Sequence, residues 1–574
     1  MASSGDEDDG LRRAIALSLL NSAASPELYS EASTGPQNWT DQSTQDLPVA
    51  PSTQPLGAMN RKAMEQERLA RLAARKRRFS ISPPPTQRRS EQADRPSKVL
   101  RLEGPTVHEI IDLDSPPAPR ATVLTRSKQD ARHNTEVCAS SGLQYPRGIV
   151  KKTWAFGHPR ANDIKLEEVL QKADLNIAVL SAFQWDVEWV MGKLDSRKTK
   201  MVFIMQAKEE ALRAQYRRET ATTPYLRLCF PPMPGQVNCM HSKLMLLFHP
   251  TYLRIAVPSA NLLNFDWGET GIMENSVFLV DLPRLAEGAQ QSKTDLTFFG
   301  KELLYFCEAM GLDKDIRDGV LKFDFANTSH LALVHTVGGS HYSNNMKRTG
   351  IVGLSRAVRA LNLQTQDPVE IDFAASSIGS LNMEFLESIY LAASGDDLPV
   401  EKREADIKDR FRIYFPTHDT VAASTGGTQN GGTVCFQSKW YNSDTFPKTL
   451  FRDYQSTRTG LLSHNKVLFS RSQKQAWAYV GSANISESAW GKAFFDKAKK
   501  AWKINCRNWE CGVLIVVPPE ELEAQPGKVV GMEVFKGHVE CPFKYPAEKY
   551  AGRKPWFFME REKRSAFAAL AGDA

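Results

Sequence analysis

Several things are scarce in this 574-residue sequence, and each shortage removes a class of protein. The eight cysteines (Cys138, Cys229, Cys239, Cys307, Cys435, Cys506, Cys511 and Cys541) never fall as a CxxC pair. Neither a zinc ribbon nor a disulfide framework is indicated, so reduced thiols in a nuclear or cytosolic compartment are expected. No apolar run approaches the ~20 residues of a membrane-spanning helix, and the opening MASSGDEDDG is acidic where a signal peptide is basic. A soluble, intracellular protein without a membrane partner follows as the expectation. No His/Asp/Glu cluster shows metal-ligand spacing either, so neither a metal nor a cofactor is expected. A net charge of +7 is small for this length and only weakly favours an anionic partner.

What is present begins with a low-complexity lead. Residues 1–147 are expected to form a disordered regulatory tail, because SPELYSEASTGPQNWTDQSTQDLPVAPSTQP has too few large apolar residues to offset chain entropy. Three islands interrupt it. EDDGLRRAIALSLLNS (7–22) places Leu11, Ala14, Ile15 and Ser18 on one helix face behind acidic residues and resembles a ubiquitin-interacting motif; the plainer alternative is a stray amphipathic turn. The basic cluster over 75–89, with Arg75-Lys76-Arg77-Arg78 and Arg88-Arg89, reads as a nuclear import signal, with a nucleic-acid patch or a merely solvated helix as the alternatives. HEIIDLDS, centred on 109–115, resembles a SUMO-interacting motif, with a hydrophobic tether onto the chain's own domain as the alternative.

From Tyr145 the composition turns globular. Strand-like runs (NIAVLSAF, TKMVFIM, FRIYFP, ECGVLIVV) alternate with helical ones (KLEEVLQKA, LNMEFLESIYLAA), which predicts an α/β architecture. The chain then writes one plan twice. HSKLMLLFHPTYLRIAVPSANLLNFDWG (241–268) and HNKVLFSRSQKQAWAYVGSANISESAWG (464–491) are each 28 residues long and agree at eight positions. His241 and Lys243 answer His464 and Lys466; Asn261 and Asn484 each follow their lysine by eighteen residues. Trp267 and Trp490 follow by six more and read as core. ENSVFLV from Glu274 answers ECGVLIV from Glu510. Repeats ordinarily keep their apolar skeleton and lose polar decoration, whereas here polar residues are among the few that agree. On a strand, His and Lys two apart share a face. Two similar α/β sandwich domains, 148–350 and 351–574, meeting across a pseudo-two-fold interface would therefore build one site from both copies.

Two lysines and two asparagines are mainly donors and suit a tetrahedral anion, above all a phosphodiester gaining charge in its transition state. A neutral imidazole can attack phosphorus and a charged one can protonate a leaving group. Glu274 and Glu510 would each orient an imidazole. His249, His335 and His418 lack a repeated partner and read as ordinary core or surface residues.

These residues carry a resemblance. Paired HxK motifs, each followed by Asn, resemble the phospholipase D superfamily; the acid that usually completes HxKxxxxD is replaced by Phe248 and Arg471. This Asp-less variant, together with SSIGSL, SANISESAWG and NWECGVL, is similar to the tyrosyl-DNA phosphodiesterase family over about residues 148–545. The resemblance implies a phospholipase D-type fold and a metal-independent DNA-repair phosphodiesterase in the nucleus. It would clear 3′-phosphotyrosyl and other 3′ blocks, including stalled type I topoisomerase peptides, from single- or double-stranded DNA ends. It further implies His241 as nucleophile, His464 as general acid and then base, and Lys243, Lys466, Asn261 and Asn484 as the phosphate-binding set. Glu510 matches the supporting acid, and Glu274 stands where relatives often have Gln. Ser376, Ser377, Ser380, Ser486 and Ser488 resemble contacts to the DNA backbone, which position a strand without reading its bases. The family's end-stacking aromatic is replaced by Val237. A nuclease or lipid phosphodiesterase of the same superfamily is the alternative activity. A decayed scaffold binding ubiquitin and SUMO is the non-enzymatic alternative, disfavoured because all six His, Lys and Asn positions are present.

Overall fold

The computed structural model describes residues 143–223, 225–398, 405–522 and 527–558. The ubiquitin-interacting-like, basic and SUMO-interacting-like segments of the tail lie outside the described residues.

Two mixed sheets organise the fold. The first runs, edge to edge, through Asp163–Ile164, Ile149–Thr153, Ser276–Pro283, Tyr252–Pro258, Leu244–Phe248, Ile177–Ser181, Lys200–Ile204 and Leu226–Cys229. The second runs through Leu331–Thr336, Asn508–Val516, Ala476–Gly481, Val467–Arg471, Glu370–Ala374, Phe411–Phe415 and Phe451–Asp453. From Ile149–Thr153 onward, the strands of the first sheet match those of the second in order and sense, antiparallel in the same places and parallel at the same far edge. The internal repeat seen in the sequence is therefore a repeat of whole α/β layers.

The strands that follow the two lysines, Leu244–Phe248 and Val467–Arg471, are buried at every position. That burial is why LMLLF and VLFSR show no clean apolar–polar alternation: helices or loops cover both sheet faces. Helices Phe298–Met310, Gly350–Ala360 and Met383–Ala393 are among the covering elements. The first is capped by Thr297, whose Oγ1 accepts from Gly300 N at 3.2 Å, and is stopped by Gly311 at φ +82°.

The Trp–Gly of each repeat is structural, as expected. Trp267 and Trp490 are both buried. Gly268 and Gly491 both hold a left-handed backbone, φ +77° and +79°. A Cβ at Gly268 would lie 1.6 Å from the Trp154 carbonyl oxygen, so no side chain fits there.

The division expected at residue 350 falls elsewhere in the sheets. Leu331–Thr336 already belongs to the second sheet, pairing with Asn508–Val516, so the chain crosses over between Pro283 and Leu331. Residue 350 instead opens a helix within the second layer. The halves also exchange short strands: Cys239–Met240 pairs with Asn508–Trp509, and Leu462–Ser463 pairs with Met273–Glu274.

Candidate active site

Those exchanged strands deliver the histidines. His241 follows Cys239–Met240 directly, and its N–H donates to the Trp509 carbonyl at 3.0 Å. His464 follows Leu462–Ser463, and its N–H donates to the Glu274 carbonyl at 2.9 Å. Each imidazole is thus hung from backbone of the opposite layer. His241, His464, Lys243, Lys466, Asn261 and Asn484 are all buried, the lysines completely.

The acids were only half legible. Glu510 Oε2 lies 2.8 Å from His241 Nδ1 and also accepts from Ser482 Oγ at 2.5 Å, while Oε1 accepts from Asn508 Nδ2 at 3.0 Å. With Nδ1 held, Nε2 of His241 is the nitrogen left for attack. Glu274 does not do the same for His464. Its carboxylate accepts from Tyr454 Oη at 3.1 Å and Arg458 Nε at 3.0 Å instead.

Backbone register explains the difference. Carrying His241 onto His464 carries Pro258 onto Gly481, and these strand residues pair with Val277 and Gly512 respectively. Glu510 therefore corresponds to Asn275, not to Glu274, which corresponds to Trp509. ENSVFLV and ECGVLIV align by letters one residue out of register, and a one-residue slip sends a side chain to the other face. The true equivalence shows in a repeated bond, since Ser259 Oγ donates to Asn275 Oδ1 at 2.8 Å as Ser482 donates to Glu510.

His464 takes its acid from Asp266, whose Oδ2 lies 3.2 Å from His464 Nδ1, within ion-pair reach though not aligned as a hydrogen bond. Asp266 Oδ2 also accepts from Asn261 N at 2.6 Å. Burial raises the Asp266 carboxyl, but His464, the Asn261 N–H and Lys466 outweigh it and hold the group below its ordinary range. Sequence comparison between repeats could not find Asp266, because the matching position in the second copy is Ala489.

The two ammoniums set the electrostatics. Lys243 Nζ donates to the His241 carbonyl at 2.9 Å; Lys466 Nζ donates to the His464 carbonyl at 2.6 Å and to the Ser259 carbonyl at 3.4 Å. Among the described residues neither forms a salt bridge with a carboxylate. Burial pulls Lys243 down to about 8. Burial, and then repulsion from Lys243, puts Lys466 well below its ordinary value. Burial also lowers both imidazoles to about 4, with Glu510 opposing at His241 and Asp266 at His464. Both lysines depress both histidines, which puts all four groups in one electrostatic neighbourhood. The ammoniums touch no carboxylate and are desolvated, so an anion placed against them is favoured.

The asparagines complete the donor set. Asn261 Oδ1 accepts from Gln184 N at 3.3 Å; Asn484 Oδ1 accepts from Ser377 N at 3.0 Å and Ser376 Oγ at 3.2 Å. With each Oδ1 engaged, Nδ2 is the group left to donate. Ser376 and Ser377 are thus brought to the site as supports of Asn484. Ser380 is exposed, Ser486 half-buried, and Ser488 buried within the helix Glu487–Trp490. Gly379 packs so tightly that a Cβ there would sit 2.7 Å from that of Ser486, which joins the two serine loops into one wall.

The matching loop of the first layer differs in chemistry. Phe183 and Gln184 stand where the second layer has Ser376 and Ser377, by the register linking Ser181 with Ala374. The Phe183 ring lies 5.4 Å from the His241 ring and is half-buried, whereas Val237 is buried. One wall of the site is therefore hydroxylic and the other aromatic, an asymmetry that repeat matching could not show.

Comparison with known proteins shows the family. Three curated relatives align: tyrosyl-DNA phosphodiesterase 1 of Arabidopsis thaliana, 23% identical over 62% of this chain and 59% of that protein; its Drosophila melanogaster counterpart, 23% identical over 70% and 71%; and a probable tyrosyl-DNA phosphodiesterase of Caenorhabditis elegans, 25% identical over 42% and 51%. The chain thus spans little more than half the length of two of them. The crystal structure of yeast tyrosyl-DNA phosphodiesterase shares the fold, with a TM-score of 0.53 at 18% identity over 71% of this chain and 100% of that one. The family model for tyrosyl-DNA phosphodiesterase matches residues 149–551, well over half of the sequence. The chain belongs to the tyrosyl-DNA phosphodiesterase family of the phospholipase D superfamily.

Proposed function

We propose that the chain is a DNA-repair phosphodiesterase that releases tyrosine or tyrosyl peptides from DNA 3′ ends through a phosphohistidine. The carrying observation is the pair of buried, carboxylate-free ammoniums flanked by two imidazoles, each imidazole beside an acid from the opposite layer. The scissile phosphate takes the place between Lys243, Lys466 and the two asparagine amides. Nε2 of neutral His241 attacks phosphorus as the P–O bond to tyrosine breaks. His464, charged once the phosphate's negative charge offsets the lysines, gives its proton to the leaving phenolate. The now neutral His464 takes a proton from water, the hydroxide displaces His241 from phosphorus, and a DNA 3′-phosphate leaves. Glu510 fixes the His241 tautomer and stabilises its cationic phosphoryl adduct, and Asp266 does the equivalent for the imidazolium of His464.

The hydroxylic wall of Ser376, Ser377, Ser380 and Ser486 suits the DNA phosphates, and Phe183 supplies a ring against the end beside His241. Ser488 is buried within the helix Glu487–Trp490 and is not among the groups proposed to meet DNA. Stalled type I topoisomerase peptides are the expected natural lesion, with a nuclear location and ubiquitin- or SUMO-binding by the tail as accompanying proposals. The test is tyrosine release from a 3′-phosphotyrosyl oligonucleotide in EDTA, with phosphatidylcholine as the competing substrate. Cleavage of the oligonucleotide alone supports the proposal. Hydrolysis of the lipid alone, or a strict metal requirement, overturns it.

A further inference from the structure

Between Asn484 and Glu510 the chain makes an excursion that the chemistry above does not use. It forms a hairpin, Lys492–Asp496 and Ala501–Cys506, which a third strand, Gly339–Tyr342, completes as a separate small sheet. Its sequence, KAFFDKAKKAWKINCR over 492–507, holds Lys492, Lys497, Lys499, Lys500, Lys503 and Arg507 against a single acid, Asp496. That acid is already committed, accepting from Tyr342 Oη at 2.8 Å and lying 3.1 Å from Lys503 Nζ. Lys492 is paired with Glu487 at 2.9 Å. Lys497, Lys499 and Lys500 at the turn are exposed and make no ion pair among the described residues. Lys499 Nζ instead sits 4.4 Å from the centre of the Tyr342 ring. Phe495 is 47% exposed beside them, an exposure that a packed sheet would not leave on a large ring, and it meets Trp502 edge-on.

Both roots of the hairpin are tied to the active site. One continues from the Ser486-capped helix Glu487–Trp490 that ends the serine wall. The other ends at Arg507, whose carbonyl accepts from Asn238 N at 2.7 Å, and Asn508, whose side chain donates to Glu510. Five strand residues carry the turn about 17 Å from its root.

We infer that this hairpin is a second DNA-binding element, which holds the phosphate backbone upstream of the scissile bond. The proposal rests on the DNA-end reading above and extends it. Lysines around an exposed ring are what a phosphate track with stacking bases requires, and an apolar protein partner would leave the lysines unanswered. At the ~3.4 Å per step of a duplex strand, 17 Å corresponds to about five nucleotides, so a substrate of three should not reach the turn.

The experiment compares 3′-phosphotyrosyl strands of 3 and 14 nucleotides, the longer both single-stranded and in duplex, on the full chain and the K497A/K499A/K500A variant. For the long strands the variant should raise KM on the order of tenfold and shallow the salt dependence of binding by about 2–3 log units per log unit of salt. Cleavage of the 3-nucleotide substrate should be unchanged, which also shows that the variant is folded. Phe495→Ala should weaken the long single strand and spare the short one. Single-stranded and duplex arms tell which form the hairpin holds. An equal loss on both lengths, no loss on either, or competition by a polyglutamate peptide as effective as that by DNA overturns the inference. Binding of unmodified 14-nucleotide DNA, read by fluorescence anisotropy, scores the hairpin even if phosphotyrosyl cleavage itself fails.

Discussion

Glu510 belongs to the second layer yet holds His241 of the first, 2.8 Å from Nδ1, and Asp266 of the first lies 3.2 Å from His464 of the second. Neither imidazole has its acid within its own layer. The site is therefore complete only when the layers are docked, and a variant can damage one dyad while leaving the other in place.

Glu510→Gln should leave substrate affinity nearly unchanged and lower the rate of phosphohistidine formation by about 10²–10⁴-fold, because an amide cannot stabilise the charged imidazole. Single-turnover tyrosine release beside equilibrium binding separates the two effects. A loss confined to affinity contradicts the positioning role.

On the proposed mechanism, Asp266→Asn should instead slow the hydrolysis step assigned to His464, so that the covalent protein–DNA adduct outlives that of the parent chain. His464→Ala should do the same more severely, and His241→Ala should form no adduct at all. Denaturing gels of the trapped adduct report this directly. Adduct in His241→Ala, and none in His464→Ala, would reverse the two roles.

Glu274→Gln is the contrasting case. Burial pushes this carboxyl above its ordinary range against the pull of Arg458, and its bonds reach Tyr454 and Arg458 rather than an imidazole. The substitution should shift the urea midpoint more than the rate of adduct turnover. A rate loss as large as that of Asp266→Asn would show that Glu274 serves His464 after all.

Lys243→Met should abolish activity yet stabilise the unliganded protein at pH 7 by on the order of 1–3 kcal/mol, since a buried ammonium without a carboxylate partner is costly. The sign follows from its lowered value of about 8. Between 8 and 10.5 the unfolded chain holds the proton that the folded chain has released, so stability at this site rises with pH and the advantage of methionine shrinks. Urea midpoints of both chains at pH 7 and pH 10 measure it.

The histidines act in the same sense, at lower pH. Both are pulled to about 4 when folded, so between pH 6.5 and 4 the unfolded chain binds protons that the folded chain refuses, and stability falls as pH falls. Each withdraws up to roughly 3 kcal/mol. The double variant H241N/H464N should lose less stability across that window in thermal melts. A parallel loss in both chains would mean that neither imidazole is held neutral.

Much of this protein could be read without a structure. HxK on a strand, with Asn eighteen residues later and written twice, identified six of the site's polar groups, because a strand forces residues two apart onto one face. Alternating strand-like and helix-like runs announced the α/β layers. Pairing across layers was not legible. Asp266 has no counterpart in the repeat, and Glu274 was matched to Glu510 by letters when hydrogen-bond register matches it to Trp509. Which side chains repeat is a property of the chain's order. Which acid meets which imidazole depends on strand exchange between residues hundreds of positions apart, and a shift of one residue there reverses every face.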